Sequence, residues 1–267
     1  MNIFAWSDTQ IFTFFFVLVR VTSIIFFLPI FGDRAIPMPV KILFGLSFSV
    51  VAYPMLQGQG LVISPDVMSS TSKTAWAVCC EVMFGTMVAF VARWIFDAVQ
   101  FAGHFAGTSI GYSMASVLDP HTETQTIAMA ELQYIVVALL FLSLNGHHIY
   151  LASILQSFKI VPLGGANLLA HSDAVVQYLI HMTAEVISLG LKLCAPVLVV
   201  SLIINLTFGV LARAVPQMNV MTVSFTANIL VGLIVVIVSM PGFVNMVGGA
   251  FDNYAPELVR FMRLFSG

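Results

Sequence analysis

Charge is what this sequence has least of: Asp, Glu, Lys and Arg together make up 8% of its 267 residues, where a soluble domain carries about 25%. That scarcity excludes a water-soluble globular domain, because any core needs a polar shell around it. A formal net charge of -2 and the absence of any Lys/Arg cluster exclude a nucleic-acid-binding surface. Cysteine is rare too. Cys79, Cys80 and Cys194 all fall in apolar stretches, with no disulfide framework and no C-x-x-C metal spacing. Catalytic signatures are missing as well: there is no G-x-S-x-G, no H-E-x-x-H and no P-loop lysine. The chain therefore reads as a non-enzyme without a cofactor. The N-terminus lacks a basic region, carries Asp8 early and places Arg20 inside the apolar run, so the first helix is expected to be retained and not cleaved as a signal.

What is present is apolar length. Hydrophobic residues reach 60% and the mean hydropathy is +1.02. Runs that approach the roughly 20 residues needed to cross a bilayer lie at Ile11–Phe31, Val40–Ile63, Thr74–Phe96, Ile127–Leu155, Val175–Leu211 and Val220–Val247. The Val175–Leu211 run is too long for one straight span, and Pro196 near its middle is expected to kink or break it. The reading is an all-α polytopic integral membrane protein of about six to eight bent or broken hydrophobic helices. Gly32–Pro39, Gln57–Lys73 and Val161–Asp173 have turn compositions. Internal repeats are not visible. Arg34, Lys41, Arg93 and Arg213 fall on one side of a six-span topology and Lys73, Lys159, Arg260 and Arg263 on the other. Basic residues therefore leave the orientation open.

The stretch from Ala98 to Thr126 differs from its surroundings. Gly103, Gly107 and Gly111 recur every four residues beside a row of Ala98, Ala102 and Ala106, a smooth helical face suited to close backbone approach in membranes. Past Gly111 the pattern turns small and polar, through Tyr112, Ser113, Met114 and Ser116 to Asp119-Pro120, where proline biases its neighbour away from helix. Residues alone allow a plain surface loop, or irregular backbone lining a protein cavity.

Charges within the apolar runs are Arg20, Glu81, Glu185 and Lys192. They are costly in lipid and should face protein, water or a partner subunit. Arg93 and Asp97 stand at i,i+4 spacing, a pairing distance near a helix end. Two readings stay open: fold-holding pairs, or an ion or proton relay. The adjacent His147 and His148 project about 100° apart on a helix and make a poor metal chelate.

Four ordered segments carry a resemblance. They are Arg34-Ala35-Ile36-Pro37 preceded by Pro29-Ile30-Phe31-Gly32; Gly107–Pro120 (GTSIGYSMASVLDP); Phe141–Gly164 (FLSLNGHHIYLASILQSFKIVPLG), with Asn145-Gly146-His147 at its centre; and Asn205–Val220 (NLTFGVLARAVPQMNV), containing Pro216-Gln217-Met218-Asn219. In order and spacing they resemble the FliR/SctT family of type III export-gate subunits, from about Phe12 to about Phe243. The resemblance implies a single membrane domain whose residues 1–170 are FliP-like and whose residues 171–267 form a FliQ-like hairpin. It implies assembly with FliP and FliQ, contact with FlhB and other export proteins, unfolded flagellar subunits as cargo, and a bacterial inner-membrane location at the flagellar basal body. It further implies that residues 107–126 form a channel plug, involving Gly107, Ser109, Gly111, Tyr112, Ser113, Met114, Ser116, Asp119 and Pro120. Gly103, Arg20, Glu81, Glu185, Lys192, Asn145, Gly146, His147, Arg213, Pro216, Gln217 and Asn219 would serve helix packing or subunit interfaces. The competing expectation is a stand-alone proton-coupled secondary transporter using Glu81, Glu185 and Lys192.

Overall fold

A computed structural model describes residues 7–33, 36–111, 128–164, 172–215, 217 and 219–265. Among them every regular element is helical: α1 (Asp8–Phe27), α2 (Met38–Gly58), α3 (Pro65–Met68), α4 (Thr71–Ala92), α5 (Trp94–Ile110), α6 (Ala128–Ser143), α7 (Gly146–Ile160), α8 (Ser172–Ala214), α9 (Val220–Asp252) and α10 (Tyr254–Arg263). Five helical stretches are long and apolar enough to cross a membrane, or six if α6 and α7 form one broken span. The all-α polytopic reading holds. The described segments outnumber the six to eight expected because the single turn α3 and the amphipathic α10 escape hydropathy, and because α5, apolar but 17 residues long, is set off from α4 at Arg93.

Local chemistry sets the ends. Ser7 and Gln10 form a reciprocal capping box that opens α1. Asn145 takes a left-handed backbone, φ 55 and ψ 27, and divides the expected Ile127–Leu155 helix into α6 and α7. Asparagine visits this region more readily than most side chains. The long C-terminal run is one helix. α8 continues through Pro196 without a break, and α2 and α9 likewise contain Pro54 and Pro241. A lost hydrogen bond and a ring clash are tolerated within membrane helices where neighbours and small backbone adjustments compensate.

The chain divides into two compact units: Met1–Trp94 with Asn145–Met182 and Asn253–Gly267, and Ile95–Leu144 with Thr183–Asp252. In the first, α1 packs along α4 and α2, and α10 lies against α4 and α7. Its core holds Phe16, Val17, Val21, Ile24, Phe84, Val88, Tyr150, Ile154 and Phe261, all buried. In the second, α5 is the helix the others approach. A Cβ on Gly103 would sit 2.4 Å from the Ala130 Cα of α6; one on Gly190 of α8 would meet the Phe101 ring at 2.5 Å and the Ala98 carbonyl at 2.9 Å; one on Gly232 of α9 would meet Ile110 at 2.6 Å. Ala98, Ala102 and Ala106 are fully buried. The small-residue face thus serves the close packing its spacing indicated. Phe96, Phe141 and Phe251 fill the remaining space with edge-on and tilted ring contacts.

Candidate functional site

Two constellations stand out, one in each unit. The first centres on Arg20, at the middle of α1 and fully buried with Glu81 of α4. Its Nε donates to Glu81 Oε2 at 2.5 Å and its Nη2 to Oε1 at 2.8 Å. The remaining donors reach backbone carbonyls where α7 ends: Val161 at 2.7 Å, Ser157 at 3.2 Å and Pro162 at 3.2 Å. Arginine has five N–H donors in a planar fork, and here all five have acceptors. The guanidinium carbon also lies 4.9 Å and 4.8 Å from the ring centres of Phe84 and Phe158, within cation–π range.

The helix terminus explains why this geometry arises. Carbonyls just past a helix end lack intrahelical partners, and after α7 a buried arginine meets those of Val161 and Pro162, sharing the Ser157 carbonyl with the Val161 N–H. Glu81 Oε1 in turn accepts the Gly164 N–H at 2.8 Å. Gly164 has φ +67, a conformation that glycine adopts without strain. One ion pair therefore joins α1, α4 and the VPLG turn after α7. It is a fold-holding pair within the chain, and it engages Glu81 on both oxygens.

The second constellation is the exit from α5. Gly107 is buried, Ser109 is half-buried, and both are helical, since α5 runs to Ile110. The chain leaves at Gly111, φ +100, with the Phe225 ring 2.9 Å from where a Cβ would stand. A side chain there would be strained as well as crowded. Tyr112, Ser113, Met114, Ser116, Asp119 and Pro120 lie outside the described residues, as does Pro216.

The other expected positions separate. Glu185 is half-buried and Lys192 exposed, both on α8. Arg213 and Gln217 are exposed near the end of α8, and the Asn219 side chain accepts the Thr222 N–H at 3.4 Å, capping the start of α9. Asn205 and Asn228 join α8 to α9 by a 2.8 Å hydrogen bond. Gly146 is buried and His147 half-buried at the start of α7. In the Pro29–Gly32 segment, the Lys41 amine donates to the Gly32 carbonyl at 2.9 Å. Residues that sequence reasoning passed over are Ser157, Val161, Pro162 and Gly164, which face Arg20 through their backbones, and Phe84 and Phe158, whose rings look like ordinary core. Apart from Phe84, they fall within the Phe141–Gly164 segment that carried the resemblance, which named no role for them.

Long apolar helices, a buried intramembrane ion pair and glycine-mediated helix contact define an α-helical integral membrane protein. The chain belongs to the bacterial export proteins, family 1, whose family model matches residues 11–254. It is similar to the flagellar biosynthetic protein FliR of Bacillus subtilis, 27% identical over 90% of both chains. It is likewise similar to FliR of Caulobacter vibrioides, 28% identical over 91% of this chain and 93% of that one, and to FliR of Aquifex aeolicus, 26% identical over 97% of each.

Proposed function

We propose that this chain is a non-enzymatic gate subunit of a flagellar type III export apparatus in the bacterial inner membrane, at the basal body. In this reading it assembles with FliP and FliQ subunits, next to FlhB, around a conduit for unfolded export substrates. Residues 1–170 take the FliP-like place and residues 171–267 the FliQ-like one. The full-length similarity to FliR proteins supports the assignment.

The observation that carries the assembly is the apolar surface of α8. Exposed apolar side chains recur along α8, at Val176, Ile180, Ile187, Leu191, Leu206 and Val210, and their directions spread around nearly half of the helix circumference. In this reading FliP and FliQ subunits, as well as lipid, cover them. The stand-alone transporter is the weaker reading on a separate ground: both Glu81 oxygens are engaged within the chain, by Arg20 and by the Gly164 N–H, as in a fold-holding pair.

The stretch beyond Gly111 then closes the conduit. Sixteen residues separate Gly111 from Ala128, and an out-and-back excursion of that length reaches about 25 Å at full extension. Small side chains pack without anchoring firmly, and Met114 offers adaptable apolar contact. Deleting Tyr112–Pro120 spares α5 and its contact with Gly232. The assembled complex carrying that deletion should leak ions across the membrane. Unchanged conductance in a complex shown to contain all three kinds of subunit would remove the plug. Failure to co-purify with FliP and FliQ would remove the gate assignment.

A further inference from the structure

Two buried oxygens in the second unit have no hydrogen-bond partner among the described residues: Ser201 Oγ on α8 and Asn228 Oδ1 on α9. Their residues are 3% and 6% exposed. Ser23, Ser49, Thr86 and Thr207 turn their hydroxyls back onto the carbonyl four residues earlier, whereas Ser201 does not. Asn228 gives its Nδ2 to Asn205 at 2.8 Å, and an amide that faces Asn205 with one end has its other end left over. A polar group unpaired and away from water is destabilising, so each of these atoms calls for an explanation.

Both stand beside the last turn of α5. α8 ends at Ala214 and α9 begins at Val220, so the two helices run antiparallel where Asn205 meets Asn228. Ser201, one turn before Asn205, is then level with Gly232, one turn after Asn228. Gly232 lies against Ile110, the final residue of α5. Ser201 also lies three turns from Gly190, which packs on Ala98 and Phe101 of α5, and within about 20° of the same face. Asn228 falls between Gly232 and Phe225, whose ring meets the α5 exit at Gly111.

The end of α5 offers what these two atoms lack. Gly111 closes the last turn with an i,i+3 bond, its N–H donating to the Thr108 carbonyl at 3.1 Å. Opening that bond frees one donor and one acceptor. Asn228 Oδ1 is an acceptor and the Ser201 hydroxyl a donor, so the groups match one for one. Glycine has the backbone freedom for such a change, and Gly111 already holds φ +100. We infer that Ser201 and Asn228 form a second seat for the end of α5, in which Asn228 accepts the freed Gly111 N–H and Ser201 donates to the freed Thr108 carbonyl. Both are positioning residues: they give the root of the closing stretch a second stable position and so favour its displacement from the conduit. The inference rests on the closing role proposed for that stretch.

The test uses the full chain in the assembled complex, with Ser201→Ala and Asn228→Leu combined. The midpoint of thermal unfolding should stay within about 4 °C of the parent, because the resting chain loses only the bond to Asn205. Export of a flagellar substrate should fall on the order of fivefold or more, since two hydrogen bonds of the displaced position are gone. Thr207→Ala, whose hydroxyl bonds its own helix, should change neither. If the double variant fails to accumulate, Ser201→Ala alone should still lower export about twofold or more at normal protein levels. Export at the parent rate overturns the second seat. So does a larger fall in thermal stability, which would mean that both atoms are already paired in the resting chain. A deletion of Tyr112–Pro120 that leaves the complex tight to ions removes instead the closing role; a leaky deletion with unimpaired export in the double variant removes the second seat alone.

Discussion

Replacing Arg20 with alanine removes five hydrogen bonds and two ring contacts at once. It leaves Glu81 buried and held only by the Gly164 N–H. Removing one partner of a buried ion pair costs about 3–5 kcal/mol. At 2–4 °C per kcal/mol for a chain of this size, the midpoint of thermal unfolding should fall by roughly 6–20 °C. Arg20→Lys should recover little of this, because lysine has three donors and no planar face for Phe84 and Phe158. An ordinary buried pair can often be exchanged for two apolar side chains at no cost. That exchange should fail here: Arg20→Met with Glu81→Met takes these partners from the carbonyls of Val161 and Pro162 and from the Gly164 N–H, at about 1–3 kcal/mol for each group that finds no water. The assay is thermal unfolding of the purified protein, alone or assembled, in mild detergent, followed by loss of the monodisperse peak. A double-Met variant as stable as the parent would refute the role of Arg20 in securing the end of α7. A shift below about 2 °C for Arg20→Ala would refute the clamp altogether.

Gly103→Ala should destabilise by about 1–3 kcal/mol through overpacking, and Ala130→Gly should not rescue it, since the clash is with the Ala130 Cα at 2.4 Å. Gly209→Ala, with nothing within 4 Å, should be neutral or stabilising by up to about 1 kcal/mol; the same melting assay separates the two. Tyr150 and Tyr254 both donate to the Ala92 carbonyl, so each Tyr→Phe change should cost about 0.5–1.5 kcal/mol. The double change should cost more than the sum, because only then is that carbonyl orphaned, and a double-mutant cycle measures the excess.

Much of the helical framework was legible before any coordinates. α1, α2, α4, α8 and α9 follow from apolar run length, and the Gly/Ala rows of α5 announced the close approach that Gly103 makes to Ala130. Pro196 leaves α8 unbroken, since in apolar surroundings neighbouring helices and small backbone adjustments re-satisfy the freed groups. α10 was hidden for the opposite reason: its apolar residues alternate with Pro256, Glu257, Arg260 and Arg263, so average hydropathy over the segment is low although one face is entirely buried. Arg20 and Glu81 were both visible as costly charges, yet 61 residues separate them, and no local pattern pairs them.

By itself, then, the sequence determined the solvent. With so little charge and such long apolar runs, the chain takes up helices, which satisfy their backbone hydrogen bonds within each segment and away from water. Its ordered motifs also placed it in a family. Tertiary structure decided where the few polar groups go. Arg20 was equally able to face lipid, a partner subunit or Glu81, and folding chose Glu81 because a buried guanidinium requires acceptors for all five donors and the α7 terminus had carbonyls to spare. Tertiary structure likewise decided which apolar surface stays exposed on α8. Hydropathy registers that a side chain avoids water, but the same transfer free energy is gained against lipid, a neighbouring helix or another subunit, so only the packed fold shows which faces are still uncovered.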